Sequence, residues 1–212
     1  MDKRRLFYAL PVDSGRAEAW SAAFHEALER CAGVQCAARM RRVPAGEWHL
    51  TLAFLGMTPE DQLPRLAEEV GRRVAKCAVP RVVELAGGVF PERGAARVLW
   101  FGPREHSSTI GALERLAAAA REGVEAVLPG SLPPGELFRA HLTGARVPRG
   151  VRGPSREART AFEGERLDCD WRPAEVRLYE SRSSAEGPRY HVVDSHPVGL
   201  DPTRDANLET DR

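Results

Sequence analysis

The chain has 212 residues, 42% hydrophobic and 29% charged, a composition that supports a buried core and excludes a disordered or fibrous protein. Lys and Arg number 31 against 30 Asp and Glu, so the formal net charge is +1 and no global field points to nucleic acid or membrane. Any anion site has to be local, and the length fits one domain or two closely fused lobes.

The opening MDKRRLFYALPV is basic and then briefly apolar, too short for a signal peptide. Within it Arg5–Val12 reads as a strand. Ser14 is placed to cap a helix to about Arg30, with Trp20, Phe24, Ala27 and Leu28 on one face. Cys36–Val43 reads as a short strand and Glu47–Leu55 as a stronger one, ended by Gly56. Thr58-Pro59-Glu60 opens a helix to about Lys76, with Pro59 in its first turn. Val79–Leu85 and Ala96–Phe101 read as strands separated by the loop or hairpin GGVFPERG. An Ala-rich helix fills 106–127, LPGSLPPGE is a loop, Phe138–Val147 is a strand and Pro154–Phe162 a short helix. Ala174–Arg182 and Pro188–Ser195 form a terminal hairpin around SSAEG. The polar tail 199–212 is expected to be disordered, leaving 1–198 as one domain. No run of about 18 apolar residues offers a membrane span. Cys31, Cys36, Cys77 and Cys169 lack C-x-x-C spacing and read as reduced and structural. The expected location is the cytoplasm.

Strands and helices do not alternate strictly, so the fold class is α+β with antiparallel sheets rather than a doubly wound parallel sheet. One triplet occurs twice, in EWHLTLAFLG as His49-Leu50-Thr51 and in FRAHLTGAR as His141-Leu142-Thr143. Its period is about half the chain, too long for a solenoid, and suggests two related lobes facing each other. In a strand, residues i and i+2 share a face. His49 and Thr51 therefore point one way, as do His141 and Thr143, while Leu50 and Leu142 point to a core. Facing lobes bring two imidazoles and two hydroxyls to one cleft.

That set suits in-line displacement at phosphorus. One imidazole takes a proton from the attacking oxygen and the other, as imidazolium, gives one to the leaving oxygen. An ordinary histidine pKa near ~6.5 makes both states available, with a bell-shaped pH profile expected between roughly pH 6 and 8. The threonine hydroxyls can donate to non-bridging oxygens, and such donors can hold the charge without a metal. A single such histidine would be an ordinary strand residue; two in matching contexts are not. Zinc is the rival use, but His25, His106, His191 and His196 show no ligand spacing.

Arg139 precedes His141 by two and shares its face if the strand is regular. Residues 138–159 hold Arg139, Arg146, Arg149, Arg152, Arg156 and Arg159 against one acid, Glu157. They form either a local patch for an RNA backbone or a solvated loop. Tyr190 offers a platform for a base, or half-buried core. Trp48 points away from His49, into the core, and one of Trp100 and Phe101 is expected to line the cleft.

Five stretches, RRLFYALPV, EWHLTLAFLG, ARVLWFGP, FRAHLTGARV and VRLYESRSSAEGPRYHVV, are spread over residues 4–193. By them the chain resembles the bacterial RNA 2′,3′-cyclic phosphodiesterases of the 2H phosphoesterase superfamily, also called LigT-like or 2′–5′ RNA ligase-like proteins. The resemblance implies two pseudo-symmetric lobes, each an antiparallel sheet with helices on the outside, around a central active-site cleft. It implies hydrolysis of a 2′,3′-cyclic phosphate on RNA or a nucleotide to a 2′-phosphate, with no metal or other cofactor. His49 and Thr51 match the first motif, His141 and Thr143 the second. The first histidine would protonate the departing 3′ oxygen and the second activate water. The second motif departs from the usual P-H-L-T-L by having Ala140 and Gly144. Gly144 is expected to loosen the strand and remove a core side chain, leaving substrate fit open. Two alternatives stand beside this reading: a non-catalytic nucleotide- or RNA-binding protein, and a phosphoesterase for ADP-ribose cyclic phosphate or a 2′–5′ linkage. A monomer is expected, and no protein partner is indicated.

Overall fold

The structure, a computed structural model, describes residues 2–104, 107–133, 137–184 and 187–199. The expected disordered tail beyond Gly199, His106 and the tip of the last hairpin lie outside the described residues. The strands are β1 Lys3–Pro11, β2 Arg41–Arg42, β3 His49–Pro59, β4 Val82–Phe90, β5 Val98–Pro103, β6 Leu142–Arg146, β7 Arg166–Trp171, β8 Glu175–Ser184 and β9 Gly187–Pro197. The helices are α1 Ser14–Ala32, α2 Val34–Ala38, α3 Leu63–Val74, α4 Ser107–Val127 and α5 Arg156–Glu163.

All the pairings are antiparallel, in the order β7-β4-β5-β6-β3-β1-β8-β9, with the short β2 added to β6. The two triplets meet in the middle of this order. There β3 and β6 pair through Leu50 and Leu142 alone. On one side of that seam stand β3, β1, β8 and β9; on the other, β6, β5, β4 and β7. These are the two lobes, and the α+β expectation holds. The helices cross between them. The chain leaves β1 in the first lobe, yet α1 packs on β6 and α5 of the second; it leaves β5 in the second, yet α4 packs on β3 and α3 of the first.

Several boundaries differ from the sequence reading. Asp13, not Ser14, caps α1, its Oδ1 accepting from the Arg16 amide at 3.1 Å. The strand expected over Cys36–Val43 is mostly helix: Gly33, at φ +80°, ends α1 and lets the chain turn into α2. Pro59 closes β3, and Pro64 takes the first turn of α3. Gly87 and Gly88 belong to β4, where the Phe162 backbone and the Trp100 ring come too close for a Cβ. β7 escaped notice because its charged positions obscure a weak alternation. The expected strand over Phe138–Val147 is confined to Leu142–Arg146, partly because the Arg139 carbonyl is taken by the His141 ring instead of a neighbouring strand.

The core volume that Gly144 gives up is not left empty. The space its side chain would occupy is filled from α1 by Phe24: a Cβ there would lie 2.5 Å from the Phe24 ring. That ring is packed edge-on against Trp48, Phe101 and Phe162 at centroid distances of 5.8, 5.2 and 5.2 Å, so it has no room to yield. Gly144→Ala is therefore expected to destabilise the protein by about 1–3 kcal/mol through overpacking. Phe24→Leu should recover part of that loss when the two are combined, a coupling readable from urea midpoints in a double-mutant cycle.

Candidate active site

The two histidines are held by the same local device. His49 opens β3 one residue after a 3-10 turn, Ala45–Glu47, and its Nδ1 lies 2.8 Å from the Glu47 carbonyl. His141 stands immediately before β6, and its Nδ1 lies 2.8 Å from the Arg139 carbonyl. A carbonyl only accepts, so each Nδ1 carries a proton and donates it to the residue two positions back. This fixes the neutral tautomer and leaves Nε2 as the free nitrogen of each ring.

The strands that follow share a second device. On β3, Leu52 is an extra residue: Tyr8 pairs with Ala53 and Ala9 with Thr51. On β6, Gly144 is the extra residue: Leu99 pairs with Ala145 and Trp100 with Thr143. Each is a β-bulge one position after the threonine, and each shifts the side-chain phase by one. Ala53 and Ala145 consequently turn into the core. Phe54 and Arg146 join the histidines and threonines along a cleft of about 590 Å³. The repeat is therefore longer than the triplet, reading H-L-T-x-A and then Phe54 in one lobe, Arg146 in the other. Strict two-residue periodicity hid both residues. For Arg146 a signal was present in Gly144, since a glycine inside a strand often marks a bulge; Leu52, the bulged residue before Phe54, carries none.

Aromatic side chains wall each imidazole. Phe7 on β1 and Tyr190 on β9 lie 4.9 and 4.8 Å from His49, Tyr190 nearly perpendicular at 88°. Phe90 lies 5.0 Å from His141, also at 88°, and Trp100 on β5 at 6.1 Å. Of the two candidates on β5, Trp100 is thus the one beside the site, and Phe101 is buried. Trp48 is core, as expected, its Nε1 donating to the Val43 carbonyl at 3.3 Å. The Tyr190 amide donates to Glu47 Oε2 at 3.1 Å, tying β9 to the turn that carries His49.

The basic patch breaks apart. Residues before β6 are not regular strand, so Arg139 does not follow His141 into the main cleft. It pairs with Glu92 and lies 5.7 Å from the Phe90 ring, beside a separate recess of about 370 Å³ that His141 also lines. Arg159 pairs with Glu163 at 2.9 Å. Of the six arginines only Arg146 reaches the cleft, where the sequence reading missed Arg5 and Arg41.

Burial, foremost, lowers both imidazoles. It takes His49 to about 4, with His141 and the Arg146 guanidinium adding to the effect and the Glu47 carbonyl opposing it. His141 is lowered by burial and then by Arg146 and Arg139, again against its carbonyl bond. In the free protein at pH 7 both rings are neutral and each Nε2 is a base. A phosphate anion between them favours the protonated form of one, which supplies an acid beside the remaining base. Glu47 is the single carboxylate of the cleft lining among the described residues.

The chain matches the family model described as LigT like Phosphoesterase over residues 21–100. It is 34% identical over 156 residues to the RNA 2′,3′-cyclic phosphodiesterase of Thermus thermophilus, 72% of each chain. It is 32% identical over 146 residues to the protein of the same name from Archaeoglobus fulgidus, 68% of this chain and 73% of that one, so the likeness is not confined to bacteria. The fold aligns with a crystal structure of a Thermus thermophilus protein at TM-score 0.68 and 31% identity, covering 92% of this chain and 99% of that one. It aligns with E. coli LigT complexed with ATP at TM-score 0.65 and 20% identity, over 94% and 100%, a likeness of fold alone.

The lowered imidazoles set a pH dependence. kcat/KM reports the free protein, and its maximum lies midway between the two macroscopic values of the pair. Both histidines lie below the ordinary 6.5, so that maximum is expected below pH 6.5 and not across pH 6–8. The kcat maximum should lie at higher pH, because the bound anion raises the imidazolium. Arg146→Gln removes a cation that lowers both rings and should move the kcat/KM bell to higher pH. Initial rates on a nucleoside 2′,3′-cyclic phosphate across pH check all three shifts.

Proposed function

This chain belongs to the LigT-like phosphoesterase family, and on that premise we propose that it hydrolyses 2′,3′-cyclic phosphate ends of RNA or nucleotides to 2′-phosphates, with His49 and His141 as its acid–base pair. The observation that carries the reading is the matched pair of imidazoles. Each is locked by an Nδ1–H bond to the carbonyl two residues back and followed by a threonine on the same cleft.

In the proposed step a water oxygen attacks phosphorus in line with the 3′ oxygen. His141 Nε2 takes the proton from that water. The P–O3′ bond breaks with its electron pair going to O3′, and the His49 imidazolium donates its Nε2 proton there. The products are a 2′-phosphate and a free 3′-hydroxyl; the pair is left with His141 protonated and His49 neutral, and solvent restores it. Two observations support this order of roles, which the resemblance also implies. His141 borders a second recess as well as the main cleft, giving water a route to the base. His49 lines the main cleft but not that recess, and is enclosed by Phe7, Tyr179 and Tyr190.

The Thr51 and Thr143 hydroxyls donate to the non-bridging oxygens, and Arg146 offsets their charge. Tyr190 steadies the His49 ring by packing perpendicular to it, and Arg139 contributes through the carbonyl that holds His141. The proposal includes a cytoplasmic monomer. The location is supported by four cysteines that are all free thiols; among the described residues no helix is long and apolar enough to cross a membrane. Gly144, which left a binding-only reading open, is packed by Phe24 and gives that reading no support.

His49→Ala and His141→Ala are each expected to lower turnover of a nucleoside 2′,3′-cyclic phosphate by at least about 10²-fold. The double variant should fall far short of the product of the two losses, because the residues act as a unit. Thr51→Val and Thr143→Val should cost less. Dialysis against excess EDTA should leave the rate unchanged; loss that Zn²⁺ or Mn²⁺ restores would assign the histidines to a metal instead.

A further inference from the structure

One end of the cleft carries more positive charge than the reacting phosphate requires. Along β1, Arg4 reaches Glu180 at 2.5 Å and Glu60 at 3.5 Å, while its neighbour Arg5 lines the cleft. On β2, Arg42 reaches Glu29 at 2.7 Å, while Arg41 lines the cleft. Arg5, Arg41 and Arg146 form no ion pair among the described residues. The one carboxylate in the lining, Glu47, is engaged with the Tyr190 amide and with Arg189 at 3.8 Å.

The register makes this more pointed. Arg41 stands directly opposite Arg146 across the β2–β6 pair. Like charges directly opposite on antiparallel strands oppose the pairing, and β2 is two residues long with β6 as its partner. Arg41 is nonetheless turned toward the cleft. Its guanidinium fills the space beside Gly187 at the start of β9, where a Cβ would meet Nη1 at 2.7 Å. Arg5 stands two residues from Phe7, the β1 side chain that packs on His49, and so shares its face, while Arg41 lies beside Arg146 on the neighbouring strand. Ser181 and Ser183 add hydroxyl donors to the same cleft.

We propose that Arg41 and Arg5, which line the cleft with Arg146, form a second anion subsite that takes a further phosphate of the substrate. This rests on the reading of the histidine pair as a site for a 2′,3′-cyclic phosphate. Such a phosphate ends the strand on its 3′ side, so any further phosphate lies on the 5′ side. It is either the internal diester of a longer RNA or a terminal 5′-phosphate. An anion between Arg41 and Arg146 removes the repulsion across β2 and β6. The preferred substrate therefore has at least two phosphates.

The test compares kcat/KM for a nucleoside 2′,3′-cyclic phosphate, its 5′-phosphorylated form, and a dinucleotide ending in the cyclic phosphate. At least one of the latter two should exceed the first by about tenfold, and which one does so identifies the diester or the terminal phosphate as the group bound. Arg41→Gln should bring that ratio close to one and make the salt slope for the preferred substrate shallower by about 1. Arg42→Gln, whose parent pairs with Glu29 outside the cleft, should leave the ratio as it is. Calorimetric binding of adenosine 2′-phosphate against adenosine 2′,5′-bisphosphate reads the subsite without turnover. The bisphosphate should bind about tenfold tighter, and Arg41→Gln should abolish the difference. Absent hydrolysis with this difference intact would fault the proposed reaction and leave the subsite standing. Arg5→Gln repeats both measurements should Arg41→Gln fail to fold. Equal kcat/KM for all three substrates together with equal binding of both nucleotides, or a preference that survives both substitutions, overturns the subsite.

Discussion

The arrangement depends on one residue pair, Leu50 against Leu142. Both side chains are completely buried, and each sits between a histidine and a threonine. Burying the leucines on one side of the sheet forces His49 and Thr51, and His141 and Thr143, out on the other, because neighbouring strand positions face opposite ways. The seam is also where the lobes meet. A hydrophobic contact at the junction thus decides where the polar groups converge, and the cleft lies over the closest approach of the two half-sheets. Burial of those leucines is worth about 1.5–3 kcal/mol each, enough to hold the register against a one-residue slip that would turn the histidines inward.

Much of this is written in periodicity. The paired triplet, the α+β class, the long helices and the terminal hairpin all follow from apolar spacing and turn residues, and the resemblance to a family extends over the same segments. What escaped the sequence has a common physical origin. Arg146 and Phe54 reach the cleft because a bulge shifts the phase of each strand, and a bulge is a property of two strands in register. Arg139 misses the cleft because its own carbonyl is bound to His141. Arg41 is positioned by a pairing with β6 from about a hundred residues along the chain, which no local pattern encodes. Gly144 looked like a loss of core volume only because its filling, Phe24, comes from a helix far away in sequence.

The two lobes repeat their backbone more faithfully than their chemistry. Both imidazoles have the same tautomer lock and the same bulge after the threonine. At the position that the bulge exposes, one lobe offers Phe54, 51% exposed, and the other Arg146. Around one histidine the wall is Phe7, Tyr179 and Tyr190; around the other, Phe90 and Trp100. Symmetry supplies two equivalent imidazoles. The departures from it distinguish one from the other, by the second recess beside His141 and by cations at one end of the groove.

The crossing of α1 and α4 bears on how such a fold can be divided. Each helix is made next to the sheet of one lobe and covers the sheet of the other. The lobes are also not the two halves of the chain: β1 and β3 are completed by β8 and β9 from the far end, and β4 and β5 by β6 and β7. A chain cut between β5 and α4 would hold two strands of each lobe and, without α4, would leave the apolar face of β3 bare. Neither half is a self-sufficient folding unit in this arrangement. The covalent link between them sets the local concentration of each helix for its sheet, which makes the closing of both cores and the meeting of the two histidines a single cooperative event.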